Sequence, residues 1–256
     1  MAEESDREKH WEESLDFKAR SVLDKDVLEG FYRMCKMMRQ CFREANRERD
    51  FAKRGPLLTE AIGLIEHATI GHVDVSDNDK VMLRKYAQRA LCYYHLCPSI
   101  PCMEGINAIV QFADISRILE VNAHRGLWGA FLRAVSVDIT MIHDASKNYT
   151  KTYAVVQSVA NVLEYVVDKQ ADYGCLMFCR PDHQENMGVA VACLKQYRGF
   201  KVIYIGPETN GLKDATPDND MFQLLERDWT LVGHAEIPRW AGALDWVMMY
   251  TRRKPI

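Results

Sequence analysis

The fold is decided by the stretch RILEVNAHRGLWGAFLRAVSVDITMIHDAS, which spans Arg117 to Ser146. An apolar run at Ile118–Val121 predicts a short strand, the small and polar segment Asn122–Gly126 predicts a tight turn, and Leu127–Val135 has the apolar spacing of a helix. A β-branched run at Val137–Ile142 predicts a second strand. The stretch therefore predicts a βαβ unit of about thirty residues.

Two acidic residues lie where these predicted strands end. Glu120 is at the end of the first strand, and Asp144 comes just past the second. In a doubly wound sheet, a turn with little side-chain bulk lets a ligand contact backbone N–H groups at a helix N-terminus. An acid that follows the second strand then accepts hydrogen bonds from ribose hydroxyls. The unit therefore predicts a nucleoside-binding crevice.

This arrangement resembles the class I S-adenosylmethionine (SAM) dependent methyltransferases, in which an acid and three glycines at alternate positions follow the first strand, and an acid ends the second. Glu120, Gly126 and Asp144 match that pattern, whereas Asn122 and His124 replace two glycines, so the glycine motif is degenerate. Asn reaches positive φ at modest cost. The His124 imidazole would occupy space near the ligand. The resemblance implies a cofactor site of these five residues, with Glu120 at the amino-acid end and Asp144 at the ribose.

The rest of the C-terminal part continues the alternation of strands and helices. Predicted helices are Met103–Phe112, Val159–Asp168, Met187–Tyr197 and Met221–Arg227, and predicted strands are Tyr153–Val156, Tyr173–Cys179, Lys201–Ile205, Asp228–Ala235 and Leu244–Arg252. The last two strands form a predicted hairpin, and in methyltransferases such a hairpin follows five βα units. The resemblance covers about residues 100–253 and implies an α/β fold, with a Rossmann-like seven-stranded, mostly parallel sheet and a C-terminal antiparallel hairpin.

The exit of the predicted fourth strand, Arg180-Pro181-Asp182-His183, lies where methyltransferases place residues that face the methyl acceptor. That place often holds an acid or Asn, two prolines and an aromatic residue, and this chain keeps one proline. The resemblance implies a hydrogen-bonding or general-base role for Asp182 and His183. The alternative is a solvated loop at a strand end.

The N-terminal part has a helical pattern instead. Apolar residues recur every three or four positions from Asp26 to about Arg49. Gly55-Pro56 is expected to separate this helix from a second at Leu57–Thr69. Ser76 with Asp79 is expected to cap the start of a third helix that runs to about Leu96. We therefore predict a helical region over residues 1–97, with a partner-binding role as one alternative, and a methyltransferase-like domain over residues 98–256. Residues 1–25 could be a frayed tail or a docking helix.

Composition limits the other functional classes. A net charge of -3 gives no electrostatic signature of a nucleic-acid-binding protein. No apolar run approaches the roughly 20 residues that span a bilayer, and the polar, acidic first residues are atypical of a leader peptide. These features predict a cytoplasmic protein without a membrane partner. Cys92, His95, Cys97 and Cys102 form one cluster with metal-ligand types, but no second pair follows at a zinc-site spacing, so we expect no metal.

Two functional hypotheses remain open. One is an active methyltransferase that uses SAM and an undefined acceptor, since methyl transfer needs mainly proximity and orientation. The other is a pseudo-enzyme whose methyltransferase-like fold serves as a scaffold or interaction subunit of a larger complex. A nicotinamide-dependent oxidoreductase is less compatible with the sequence, because its dinucleotide-binding fold does not require the C-terminal hairpin.

Overall fold

The computed structural model describes residues 21–48, 50–68, 79–147, 149, 151–181, 186–207, 219–238 and 245–253. They form two compact units. The first unit extends to Ile100, and the second runs from Pro101 to Ile237 and includes the last strand. No helix in these described ranges is long and apolar enough to cross a membrane.

The first unit contains the helices α1 (Lys25–Arg47), α2 (Phe51–Ala68) and α3 (Asp79–His95). Helix α1 is amphipathic, and its buried face consists of Met34, Cys35, Met38, Cys41, Phe42 and Ala45. The prediction that Gly55-Pro56 separates two helices is wrong, because both residues lie inside α2. Pro56 is the sixth residue of α2, beyond the first four N–H groups that lack an intrahelical partner, so the helix continues through it without one backbone hydrogen bond.

The second unit has five helices and seven strands within the described residues. The helices are α4 (Met103–Ala113), α5 (Leu127–Ala134), α6 (Val162–Lys169), α7 (Asn186–Gln196) and α8 (Asn219–Asp228). The strands are β1 (Ile118–Val121), β2 (Ile139–Asp144), β3 (Gln157–Val159), β4 (Cys175–Cys179), β5 (Lys201–Pro207), β6 (Trp229–Glu236) and β7 (Asp245–Arg252).

The sheet has the order β3-β2-β1-β4-β5-β7-β6. Neighbours from β3 to β5 are parallel, and β7 is antiparallel to both β5 and β6. The predicted α/β class and the mostly parallel sheet with an antiparallel C-terminal hairpin are therefore confirmed. The strand order reverses between β1 and β4, so a sheet of this kind has its ligand crevice at the carboxyl ends of the strands around β1, where β2 also ends.

The central strands are buried on both faces, as helices on both sides of a parallel sheet require. Every residue of β1 and of β4 is buried. On one face, Leu119, Leu176 and Val202 pack with residues of α6, α7 and α8 in a continuous apolar cluster. Apolar burial of this extent fixes the strand register, so the strand ends have defined positions.

The third strand lies later in the chain than predicted. The sequence favoured Tyr153–Val156, but the residues that pair with β2 are Gln157–Val159. Tyr153 is buried outside the sheet. Its backbone N–H donates to the Arg125 carbonyl (2.8 Å), which holds this segment against the turn after β1. Gln157 and Ser158 are exposed on the edge strand, so the strand has no apolar pattern to identify it.

Helix α5 packs on β2 through a close contact at Gly129. A Cβ atom at this position would lie 2.1 Å from Met141 Sδ and 2.7 Å from Met141 Cγ. Met141 is itself buried, so it has little room to move away. Glycine at residue 129 therefore sets the distance between α5 and the sheet.

We expect Gly129→Ala to lower the free energy of unfolding by about 1–3 kcal/mol, because the added methyl group overpacks the contact with Met141. Urea unfolding followed by circular dichroism measures the change. Gly188→Ala in α7 is the matched control, since a Cβ there meets no atom within 4 Å. Equal stability of the Gly129 variant and the wild type would show that this contact does not constrain the helix.

Candidate functional site

The turn between β1 and α5 has left-handed backbone at alternate positions. Asn122, His124 and Gly126 have φ values of 54°, 49° and 70°. Glycine adopts this region without penalty, whereas Asn does so at modest cost and His is less favourable. The chain therefore holds the backbone form that three alternate glycines would adopt, although two of the positions carry side chains.

Backbone hydrogen bonds maintain this turn. The Ala123 N–H donates to the Ile142 carbonyl of β2 (3.0 Å), and the Gly126 N–H donates to the Ala123 carbonyl (2.7 Å). Gly126 is the N-cap of α5 and, being glycine, has no side chain to cap that end of the helix. A Cβ at Gly126 would lie 2.7 Å from Val156 Cγ2, so this glycine is required for space as well as for φ.

Asp144 ends β2 beside the turn. β1 and β2 are parallel neighbours with Val121 opposite Ile142, which brings Asp144 to the same edge of the sheet as the turn. Asp144 Oδ1 accepts a hydrogen bond from the Ser146 N–H (2.8 Å), which orients the carboxylate. Its second oxygen, Oδ2, accepts no hydrogen bond from the residues that the structure describes, so it can accept bonds from a ligand.

Glu120 has a different environment from that of Asp144. Its side chain is 1% exposed, and its carboxyl group accepts a hydrogen bond from the Gly129 N–H of α5. Burial raises the pKa of Glu120 to about 8, although Arg133 and the Gly129 N–H oppose the shift. Oε2 is buried without a hydrogen-bond partner among the described residues. Glu120 is therefore largely protonated at neutral pH unless a nearby cation favours the carboxylate.

An aromatic cluster lies against the turn. The Tyr149 hydroxyl is 3.4 Å from His124 Nδ1, and the Tyr149 ring centroid is 5.3 Å from that of His143. Arg125 lies over the Tyr149 ring at 5.7 Å. His143 is buried, and burial lowers its pKa, although the neighbouring Asp144 opposes the shift. The neutral form of His143 is therefore favoured, and the rings of Tyr149 and His143 form an aromatic surface beside Asp144.

The exit of β4 contains an ion pair that the sequence analysis missed. Arg180 Nε donates to Asp245 Oδ2 (3.1 Å) and Arg180 Nη2 to Asp245 Oδ1 (2.6 Å). The Asp245 side chain is fully buried and that of Arg180 is 12% exposed. A bidentate pair in this environment fixes the geometry of both strands, because separating its charges is costly. The sequence gives only a weak indication of this ion pair, because 65 residues separate Arg180 from Asp245.

The predicted catalytic residues Asp182 and His183 lie outside the described residues, and so does the predicted helix start at Ser76. A catalytic role for Asp182 and His183 therefore stays a prediction. In the described part of the chain, no group of three or more His, Cys, Asp or Glu residues could hold a metal ion. His95, from the cysteine-rich segment, packs instead against the rings of Phe31 and Tyr32.

The strand order and the antiparallel C-terminal hairpin are those that the resemblance to class I methyltransferases implies. No protein-family model matches the chain, and no curated protein matches its sequence.

Among solved structures, the chain is similar to the Burkholderia thailandensis 1,6-didemethyltoxoflavin-N1-methyltransferase with bound 1,6-didemethyltoxoflavin and S-adenosylhomocysteine. The identity is 16% and the TM-score 0.42, over 59% of this chain and 78% of that one. It is also similar to a mutant of MtNAS (10% identity, TM-score 0.40, 94% and 98% of the two chains). A third similar structure is the SAM-dependent methyltransferase SibL in its apo form (14% identity, TM-score 0.35, 90% and 74%).

The raised pKa of Glu120 predicts a specific pH dependence of stability. Because its folded-state pKa (about 8) exceeds the ordinary value of 4.5 for a glutamate, its contribution to stability is full below pH 4.5 and is lost as the pH rises to 8. We expect Glu120→Gln to remove this loss. Between pH 5 and pH 8, the free energy of unfolding of the variant should therefore rise by about 3 kcal/mol relative to that of the wild type. Denaturant unfolding at several pH values measures the free energy of unfolding of both proteins.

Glu164→Gln, at an exposed position in the first turn of α6, is the control for this experiment and should leave the pH profile of the wild type unchanged. Parallel stability curves for wild type and Glu120→Gln would show that Glu120 titrates normally in the folded protein.

Proposed function

We propose that this chain binds SAM in the crevice at the carboxyl ends of β1 and β2 and transfers its methyl group to an acceptor that is still undefined. The observation that carries this proposal is the turn with three alternate left-handed residues, Asn122, His124 and Gly126. Left-handed backbone at a non-glycine residue is unfavourable by on the order of 1–3 kcal/mol and persists only where the surrounding structure holds it, and such residues cluster at ligand-binding sites. A backbone of this form exposes N–H groups to a ligand at the start of α5.

Side chains around the turn support the same ligand. The available oxygen of Asp144 suits ribose hydroxyls, and Glu120 suits the ammonium group at the amino-acid end, because a nearby cation stabilises its carboxylate. When bound, SAM supplies an electrophilic methyl group on a sulfonium. The contribution of the chain is to orient the acceptor for in-line attack and to exclude water. Asp182 and His183 are the residues we propose for hydrogen bonding to the acceptor.

A second candidate function rests on the aromatic cluster. The His124 imidazole and the Tyr149 ring lie against the turn, with the hydroxyl of Tyr149 close to His124 Nδ1. If these side chains keep their positions, they exclude a nucleoside from the crevice. The fold would then serve as the scaffold of a larger complex, and the N-terminal helices would be the partner-binding element.

Titration calorimetry of the full chain with S-adenosylhomocysteine distinguishes the two functions. We expect binding in the micromolar range, and we expect Asp144→Ala to weaken it by about 1–3 kcal/mol because hydrogen bonds to the ribose are lost. Asp138→Ala is the matched control, since Asp138 precedes the other end of β2 and is exposed. Equal affinity of wild type and Asp144→Ala would refute the ribose role of Asp144.

His124→Gly tests whether the side chain at the second glycine position limits binding. Glycine relieves the strain at φ 49° and removes the contact with Tyr149, so we expect about tenfold tighter binding of S-adenosylhomocysteine. A wild type that does not bind at millimolar ligand would favour the scaffold function. In that case, binding that appears only in His124→Gly would identify His124 as the group that closed the crevice.

A further inference from the structure

The three helices of the first unit surround a cavity of about 360 Å³. Its lining comes from all three helices and consists of Val27, Gly30, Phe31, Arg33, Met34, Met37, Leu64, Gln88 and Leu91. Small-molecule sites in proteins usually measure roughly 300–1,000 Å³ and combine an apolar lining with a few polar groups. This cavity has those properties and shares no residue with the cofactor crevice.

One polar group in the lining is unsatisfied. Gln88 Oε1 on α3 is buried and accepts no hydrogen bond within the part of the chain that the structure describes. Native proteins contain few such groups, because a buried carbonyl oxygen without a donor is unfavourable. An N–H or O–H group on a bound molecule would satisfy it.

A cation lies beside the same cavity. Arg33 on α1 is exposed and forms no ion pair with any described residue. The guanidinium group is planar and binds carboxylates and sulfonates through two parallel hydrogen bonds. The cavity therefore offers one site for an anionic group and one for a hydrogen-bond donor.

The apolar lining favours a ring system. Phe31 supplies an aromatic face, and thioether sulfurs of residues such as Met34 and Met37 make favourable contacts with aromatic rings and adapt to irregular shapes. Gly30 leaves the space open, since a Cβ there would meet no atom within 4 Å. Glycine within a helix is unfavourable relative to alanine, so its presence in α1 is consistent with a requirement for that space.

We propose that this cavity is a binding site for a small aromatic anion that carries one N–H or O–H donor. The rings pack against Phe31 and the methionines, the anionic group pairs with Arg33, and the donor binds Gln88 Oε1. The lining residues all belong to the first unit, and the proposal does not depend on SAM binding.

The test uses the intact 256-residue chain and 8-anilinonaphthalene-1-sulfonate, an aromatic anion whose fluorescence rises in an apolar site. We expect saturable binding to the wild type that Gly30→Phe weakens at least tenfold, because the new ring fills the cavity. Gly63→Phe is the matched control and should bind like wild type, since Gly63 also has open space but lies outside the lining. Wild-type binding by Gly30→Phe, or no binding by the wild type, would overturn the proposal.

A matched pair of competitors tests the polar contacts. Indole-3-acetate has the N–H donor, and benzofuran-3-acetate has the same shape and charge without it. We expect indole-3-acetate to displace the probe about fivefold to tenfold better, and Gln88→Leu to abolish that difference. Arg33→Gln, an exposed substitution that should not affect folding, should weaken both competitors about tenfold. Equal displacement by both competitors from the wild type, or full affinity in Arg33→Gln, would contradict the assigned contacts.

Discussion

The second unit depends on the hydrogen bond from the Ala123 N–H to the Ile142 carbonyl, which ties the turn after β1 to the neighbouring strand β2. This bond keeps the turn at the carboxyl edge of the sheet while the backbone on both sides of Ala123 is left-handed. Without this hydrogen bond, Asn122 and His124 would leave their strained left-handed conformations, and the turn would become an ordinary loop. The start of helix α5, the candidate crevice and the packing of Val156 over Gly126 all follow from the position of this turn.

The two acids of the candidate crevice differ in burial, and the chemistry of their carboxyl groups differs as a result. Asp144 is partly exposed and oriented by the Ser146 N–H, so it stays available to a ligand. Glu120 lies beneath α5 and responds to nearby charge through its raised pKa. The sequence pattern alone treats both residues as acids at strand ends. Only the three-dimensional packing shows that one is a surface group and the other a buried titratable group.

The sequence predicted the sheet well because most of its strands are long apolar runs, as at Cys175–Cys179, and buried parallel strands have that composition. It misplaced the third strand because Gln157 and Ser158 lie exposed on an edge strand. Their polar side chains give no apolar run by which the strand could be identified. It expected a break at Gly55-Pro56 because intrinsic propensity disfavours both residues in helices, whereas tertiary packing overrides that preference here.

In the candidate site, the sequence predicted the turn and its two acids, because these are adjacent to strands that periodicity identifies. It did not predict the aromatic cluster, since Tyr149 and His124 are 25 residues apart. It also missed the pair of Arg180 and Asp245, which meet only because β7 inserts next to β5 and brings its first residue near the exit of β4. Long-range contacts of this kind depend on topology, which local patterns do not encode.

A crystal structure of the protein with S-adenosylhomocysteine tests the central claim most directly. We expect the ligand to lie across the carboxyl ends of β1 and β2, with its ribose hydroxyls on Asp144 and with Asn122, His124 and Gly126 still left-handed. A structure in which the crevice holds no ligand at saturating concentration, with Tyr149 still against His124 and His143, would contradict it.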